Sequence, residues 1–352
     1  MLVQLKITVS LAAIIVSSAF LSPCPVPISQ QRTISKQKIS LKSGNLALSS
    51  SASVDASGVF GLPSNVSASL SRDDDVYDRK FDRRAVTLGK LGKLNLYGLY
   101  YGSISIALGC VWFVALKALW VFYKMTGGAI DKRRRMVIFC NHVWGVCLLR
   151  LTGCYPRISN LEKLDEIHKT STAAMFVANH CSWMDIPYVG AAIGYGHVGW
   201  RNYKFVSKKE LEKVPILGGG LIMGQHVVID RTNRRSQINT LKSGIATLRD
   251  GVHLITFPEG TRSRTGRLLP LKRGAFKMAQ SADAKIVPIS ISGAELVMPA
   301  GWLMPMQPSR NIVKVTVGDP IDCSELDEKE LGEKVKNSLE RYLPPKQLMK
   351  AS

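Results

Sequence analysis

His180 and Asp185 stand five residues apart in the stretch AMFVANHCSWMDIP, Ala174 to Pro187, just after an apolar run that closes at Asn179. A neutral imidazole can take a proton from an alcohol near pH 7, because its ordinary pKa is close to that value. It does so best when a carboxylate fixes its tautomer and steadies the imidazolium that forms. On one continuous helix, partners sit three or four apart, so a spacing of five places the pair elsewhere. They meet if His180 lies at a strand end and Asp185 on the turn that opens the next helix. A plainer reading competes. Ser182-x-x-Asp185 has capping-box form, so Asp185 could simply hold backbone N–H groups, although Pro187 weakens a helix start there. On this spacing alone, capping is the better reading. A second Asn-His, at Asn141 and His142 in NHVWGVC, has Cys147 where the Asp would be, which makes that copy structural.

Other strand-like runs end in cations, and these shift the balance towards chemistry. FPEGTRSR, Phe257 to Arg264, closes a strand with Glu259, Gly260, Thr261 and Arg262. Gly260 permits close backbone approach to a ligand. Thr261 offers a hydroxyl, and Arg262 suits two-point recognition of a phosphate. GQHVVIDR ends in Arg231, and FVSKKEL places Lys208 and Lys209 after another apolar run. Each cation alone reads as a solvated surface charge. Together, at strand ends where α/β sheets bind ligands, a base and a phosphate clamp imply a substrate with both an alcohol and a phosphate.

The elements that must position these residues begin near Tyr155, where strand-like and helix-like units alternate. Strands are expected at Ala173–Ala178, Gln225–Ile229, His253–Phe257, Ile286–Ile291 and Ile312–Val317. A helix is expected over Arg235–Arg249, from the spacing of Ile238, Leu241, Ile245 and Leu248. Another is expected over Glu325–Leu343, opened by Ser324-x-x-Asp327 as a capping box. Alternation of this kind argues for a layered α/β domain.

Upstream, Leu94 to Leu116 is uncharged between Lys93 and Lys117, long enough for one bilayer crossing, with Tyr and Trp towards both ends as interface anchors. The basic run DKRRR at 131–135 suits an anionic surface. A second apolar stretch, Met136 to Thr152, is a candidate second membrane helix, or half of a buried soluble pair. Residues 1–19 have the build of a signal peptide, with small residues before a cut at Ala19/Phe20. Residues 20–75 read as transit peptide and linker: to about Leu70 they are rich in Ser and Ala with Asp55 the one acid, a transit-peptide composition, and a charged linker follows. The two in series resemble the bipartite presequence of algae with plastids of secondary origin, which implies a plastid membrane location. Plain secretion with a linker is the other reading.

In a chain of 352 residues, the formal charge of +21 favours anionic partners, but no RNP-like or zinc-finger pattern supports nucleic acid. None of the seven Cys form a Cys-x-x-Cys pair, so a zinc or thioredoxin-type site gets no support. Cys140, Cys147 and Cys154, seven apart, read as small buried residues on a helix face.

Four blocks in order resemble the 1-acyl-sn-glycerol-3-phosphate acyltransferases among the glycerolipid acyltransferases. They are Asn179-His180-Cys181-Ser182-Trp183-Met184-Asp185, Gly224 to Arg231, Phe257 to Ser263, and Val287-Pro288-Ile289. The likeness covers about 130–336. It implies a mixed central sheet flanked by helices, preceded by N-terminal membrane-associated helices over 90–152, with the catalytic domain at 153–345. It implies His180 as general base and Asp185 as its orienting partner. Arg231, Glu259, Gly260, Thr261 and Arg262 would shape the acceptor phosphate site, with Lys208 as an addition and Glu259 positioning Arg or backbone groups. The substrates would be lysophosphatidic acid and an acyl thioester on CoA or acyl carrier protein, the product phosphatidic acid. No cofactor or metal, and no acyl-enzyme on Cys181, is implied. Glycerol 3-phosphate or another lysophospholipid is an alternative acceptor. A basic, non-catalytic membrane-binding protein is the alternative of another class.

Overall fold

The chain divides into two units, Met1–Val76 and Tyr77–Ser352. A computed structural model describes residues 85–89, 92–170, 173–194, 202–213, 217–230, 233–324 and 326–349, all in the second unit. The expected signal and transit segments and Arg231 lie outside the described residues.

A short antiparallel pair, β1 (Val86–Thr87) and β2 (Lys93–Leu94), precedes two apolar helices. These are α1 (Leu96–Thr126) and α2 (Arg135–Leu151). Asn95 starts α1 by accepting from Gly98 N at 2.8 Å, and its amide also donates to Met306 O, pinning the helix start to a distant loop. The expected apolar stretch is shorter than the helix it forms, which runs on to Thr126 and ends at Gly127 in left-handed conformation. At 31 residues α1 is about 46 Å long, more than the roughly 30 Å hydrocarbon core of a bilayer. Asp131 makes the turn into α2. It accepts from Arg135 N, Met136 N and the Tyr123 hydroxyl, so part of the DKRRR run is used internally. Trp112 donates to Asn141, and Tyr97 and Tyr100 donate to the last carbonyls of α2, so the two helices form a hairpin. The outer side of α1 stays apolar and exposed at Val111, Val114 and Met125.

Beyond the hairpin come β3 (Arg157–Ser159), α3 (Lys163–Thr170), β4 (Ala174–Ala178), α4 (Asp185–Ile193), β5 (Tyr203–Lys208), α5 (Leu217–Met223), β6 (Val227–Ile229), α6 (Arg234–Arg249) and β7 (His253–Thr256). Then follow α7 (Gly274–Ala282), β8 (Lys285–Ser292), α8 (Ala294–Val297), β9 (Lys314–Val317) and α9 (Glu328–Glu340). Seven strands form one sheet in the order β3-β9-β8-β4-β7-β5-β6. β8, β4, β7, β5 and β6 run parallel; β9 is antiparallel to β8, with β3 parallel to it. The sheet is therefore mixed.

The central strand β4 is buried on both faces, as a parallel strand covered on both sides must be. Its alternate side chains feed two cores. Ala174, Phe176 and Ala178 pack with residues of α2, α3 and α4. Met175 and Val177 pack with Phe276 of α7 and with Leu331, Val335 and Leu339 of α9.

Beyond the hairpin, three element starts shift by two or more residues, each for a local reason. β6 starts at Val227 because Gln225 has φ +51°, which no strand residue adopts. β9 starts at Lys314 because Ile312 N and Val313 N are used in a turn onto Ser309 O after left-handed Asn311. α9 starts at Glu328, and its capping box is Asp327 with Glu330. Ser324 instead bonds Asp322, because a cap must sit directly before the first helical residue.

Candidate active site

Asn179 ends β4 and its amide is spent on β8: Nδ2 donates to Ile291 O at 2.9 Å and Oδ1 accepts from Ile291 N at 2.7 Å. That clamp turns the chain at His180. Asp185 is the first residue of α4, fully buried, and His180 Nδ1 lies 2.8 Å from its Oδ2. The same oxygen accepts from Cys181 N at 2.7 Å and Ser182 N at 2.8 Å. Backbone capping and imidazole orientation, alternatives on spacing alone, coexist at one atom. With Nδ1–H donated to a carboxylate, the neutral ring carries its lone pair on Nε2.

The loop after β7 closes over this turn. Phe257 stacks on the His180 ring, centroids 4.2 Å apart and planes 20° from parallel. His180 N donates to Glu259 Oε1 at 2.6 Å, and Ser263 N donates to His180 O at 2.7 Å, so both backbone groups of the histidine are held by one loop. Glu259 Oε2 accepts from Leu269 N at 3.0 Å. This carboxylate thus positions backbone groups. Burial pushes its pKa up to about 8, against the two N–H donors that lower it, and the charge of Asp185 adds to the rise. Gly260 has φ +74°, and a β-carbon there would lie 2.9 Å from Lys272 Nζ, so glycine serves both the turn and the approach of that amine.

The Arg262 guanidinium lies 4.7 Å from the Trp183 ring centroid, half-buried, while Thr261 is exposed. Lys208 ends β5 at the same edge of the sheet and is exposed. The structure therefore brings His180, Asp185, Glu259, Gly260, Thr261 and Arg262 together on two adjacent loops, at the C-terminal ends of neighbouring parallel strands, with Lys208 one strand further along that edge. His142 lies apart on α2, edge-on to Tyr203 and packed where a side chain on Gly194 would clash. Among the described residues no three His, Cys, Asp or Glu side chains converge as metal ligands. Cys181 is buried beside Asp185, Glu295 and Glu259. Burial first, then those carboxyls, push its thiol well above the usual range, leaving no thiolate at neutral pH.

Trp183 faces Arg262 on one side and on another lines an apolar cavity of about 480 Å³. Its walls include Trp112, Ile138 and Trp144 of the hairpin and Tyr203 of β5. His226 also lines it, kept neutral because burial and nearby Lys204 push its pKa down to about 3.

Residues 156–292 match the Acyltransferase family model. This is the segment that carries the His180–Asp185 turn and the Phe257–Arg264 loop. Among curated proteins, the chain is similar to a chloroplastic 1-acyl-sn-glycerol-3-phosphate acyltransferase of Arabidopsis thaliana, 34% identical over 168 residues, 48% of this chain and 45% of the relative. It is also similar to proteins named 1-acyl-sn-glycerol-3-phosphate acyltransferase from Chlamydomonas reinhardtii, at 31% over 53% of each chain, and Limnanthes douglasii, at 35% over 48% of this chain and 56% of the relative. The chain spans about half the length of the curated relatives it matches. The crystal structure of the 1-acyl-sn-glycerophosphate (LPA) acyltransferase PlsC from Thermotoga maritima shares the fold. The TM-score is 0.53 at 23% identity, covering 70% of this chain and 95% of that one.

Several contacts around the site had no sign in the sequence. Phe257 stacking on His180, Trp183 beneath Arg262, Lys272 over Gly260 and Glu295 beside Cys181 all join residues distant in the chain or unremarkable in type. For Trp183, an aromatic inside the His-x4-Asp block was the only available signal.

Proposed function

We propose that the chain transfers an acyl group from acyl-CoA or acyl carrier protein to the sn-2 hydroxyl of 1-acyl-sn-glycerol 3-phosphate, forming phosphatidic acid. The observation that carries this reading is the His180–Asp185 pair. It stands on the turn that the Arg262 loop holds through Ser263 N, and Trp183, on which the guanidinium lies, also lines an apolar cavity fit for an acyl chain. Arg262 meets the acceptor phosphate, with Lys208 and the Gly260–Thr261 turn beside it and Arg231 as a further cation. The acceptor hydroxyl gives its proton to His180 Nε2 as its oxygen attacks the thioester carbonyl. Asp185 steadies the imidazolium. Collapse of the tetrahedral intermediate expels the thiolate, which takes the proton back from His180. No acyl-enzyme is required, in keeping with a protonated Cys181.

The exposed apolar flank of α1 supports attachment to a membrane, where the lysolipid resides, through the helices of 90–152. The bipartite build of residues 1–75 and the chloroplastic names of relatives support a plastid membrane. The test is release of free thiol from acyl-CoA by the full chain in lipid, with and without lysophosphatidate. Glycerol 3-phosphate and other lysophospholipids serve as competing acceptors. Transfer that ignores the phosphate-bearing acceptor refutes the reading. A fluorescent protein fused to residues 1–75 reports targeting, and cytosolic fluorescence removes the plastid assignment.

A further inference from the structure

Gln347 lies near the end of the chain, yet only 1% of it is exposed. It closes a short 3-10 turn, Pro345–Gln347, after α9. Its carbonyl accepts from Leu268 N at 2.8 Å, and its Nε2 donates to Glu295 Oε2 at 2.9 Å and to Gly266 O at 3.4 Å. Gly266 and Leu268 belong to the loop between β7 and α7, which carries Arg262 and has no regular structure from Phe257 to Arg273. Such a loop keeps its shape only through individual bonds. Those include Ser263 N to His180 O, Leu269 N to Glu259 and Lys272 N to Pro258 O, beside the bonds to Gln347.

Glu295 leads to the other half of the site. Its Oε2 also lies 3.8 Å from Cys181 Sγ, which is 4.0 Å from Asp185 Oδ1. The Oε1 of Gln347 is buried with no partner among the described residues, a cost that an apolar side chain of the same length would not carry, so the amide is kept for its Nε2 donor.

We infer that Gln347 is a positioning residue of the acceptor site: it fixes the Arg262 loop from the C-terminal segment and, through Glu295, braces the turn that holds Asp185. The inference rests on the function proposed above. Gln347→Met keeps length and loses the donor. With acyl-CoA and lysophosphatidate each varied, the acceptor KM should rise about tenfold, as expected for loss of a hydrogen bond to a charged or polar buried partner. The KM for acyl-CoA should stay within about twofold. A lowered melting temperature with unchanged acceptor KM overturns the inference.

Gln347→Glu gives a second readout. Two facing carboxyls pair only while they share a proton. The ratio of variant to wild-type acceptor KM should therefore climb as pH is raised and the shared proton is lost, and a flat ratio counts against the positioning role. Amide hydrogen exchange needs no activity and so separates this inference from the proposed function. In Gln347→Met, exchange across residues 260–272 should speed up while β4 and β8 stay protected. Unaltered exchange in that loop overturns the inference whatever the enzyme acylates.

Discussion

Replacing Asp185 by Asn separates the two duties that one oxygen performs. Asp185 Oδ2 accepts from His180 Nδ1, Cys181 N and Ser182 N, at 2.7 to 2.8 Å. An Asn whose carbonyl oxygen takes that place keeps all three donors and the turn they define. What it loses is charge. For an imidazolium roughly 4 Å from the carboxylate centre, at an effective dielectric of about 20, the attraction is about 4 kcal/mol. That energy is absent while the ring is neutral and present once it holds the proton, so its loss raises the barrier and leaves binding alone. At about 1.4 kcal/mol per decade, turnover should fall by about 10³-fold, with both substrate KM values within about threefold of wild type. The fold loses only the difference between charge-assisted and neutral hydrogen bonds, about 1 kcal/mol, or about 2–4 °C in melting temperature. The assay is thiol release from acyl-CoA at saturating lysophosphatidate, with thermal unfolding of the same preparations. If turnover stays within tenfold of wild type while the melting temperature drops by more than about 10 °C, Asp185 is a cap and the mechanism is wrong.

His180→Ala should abolish transfer without unfolding the chain, whereas His142→Ala should keep turnover within about tenfold, since His142 packs against Tyr203 and Gly194 away from Asp185; paired activity and circular dichroism measurements decide it. Arg262→Ala should raise the acceptor KM about 10- to 100-fold and spare the thioester KM, with Arg262→Lys a partial rescue because it keeps the charge and loses the planar fork; a defect confined to the thioester removes Arg262 from the phosphate site. Glu259 has an ordinary value of 4.5, pushed up to about 8, so the stability contributed by its neutral form is full below about 4.5 and lost as pH rises to about 8. The melting-temperature advantage of wild type over Glu259→Gln should therefore shrink from pH 5 to pH 8, and an advantage that holds or grows with pH contradicts a buried neutral Glu259.

What could be read from the sequence was local. The strand entering Asn179-His180 and the helix starting at Asp185 follow from an apolar run, a polar turn and a helical pattern within fifteen residues, and the break between the two elements is what lets side chains five apart meet. The EGTR turn was equally visible, because Gly260 advertises a tight bend by residue type, and its φ of +74° is such a bend. Boundaries failed where one residue's backbone decided them, as at Gln225 and Asn311. Contacts between distant segments left no trace. Gln347 meets Glu295 across 52 positions and Leu268 across 79, and neither residue type announces a partner. The length of α1 was underestimated because Lys117 and Lys124, which would interrupt a purely apolar span, sit over the Trp120 and Phe113 rings and leave the helix unbroken.

Three buried carboxyls crowd Cys181, and the way their charge is divided follows from who donates to them. Asp185 receives three donors at one oxygen, two of them backbone N–H groups that cannot turn away. Glu259 receives one N–H at each oxygen, not enough to offset burial, and Glu295 receives a side-chain amide and a weak thiol. Burial, with Asp185's charge as a lesser contribution, raises both glutamates. Like charges this close cannot all ionise in a water-poor site. Burial thus favours the neutral form of both glutamates, and Glu259 holds the backbone of His180 while burial disfavours its charge. A neutral Glu259 also explains how an acidic residue can sit three positions from Arg262 without capturing it. The guanidinium lies over the Trp183 ring instead, which leaves it available for the phosphate role proposed above.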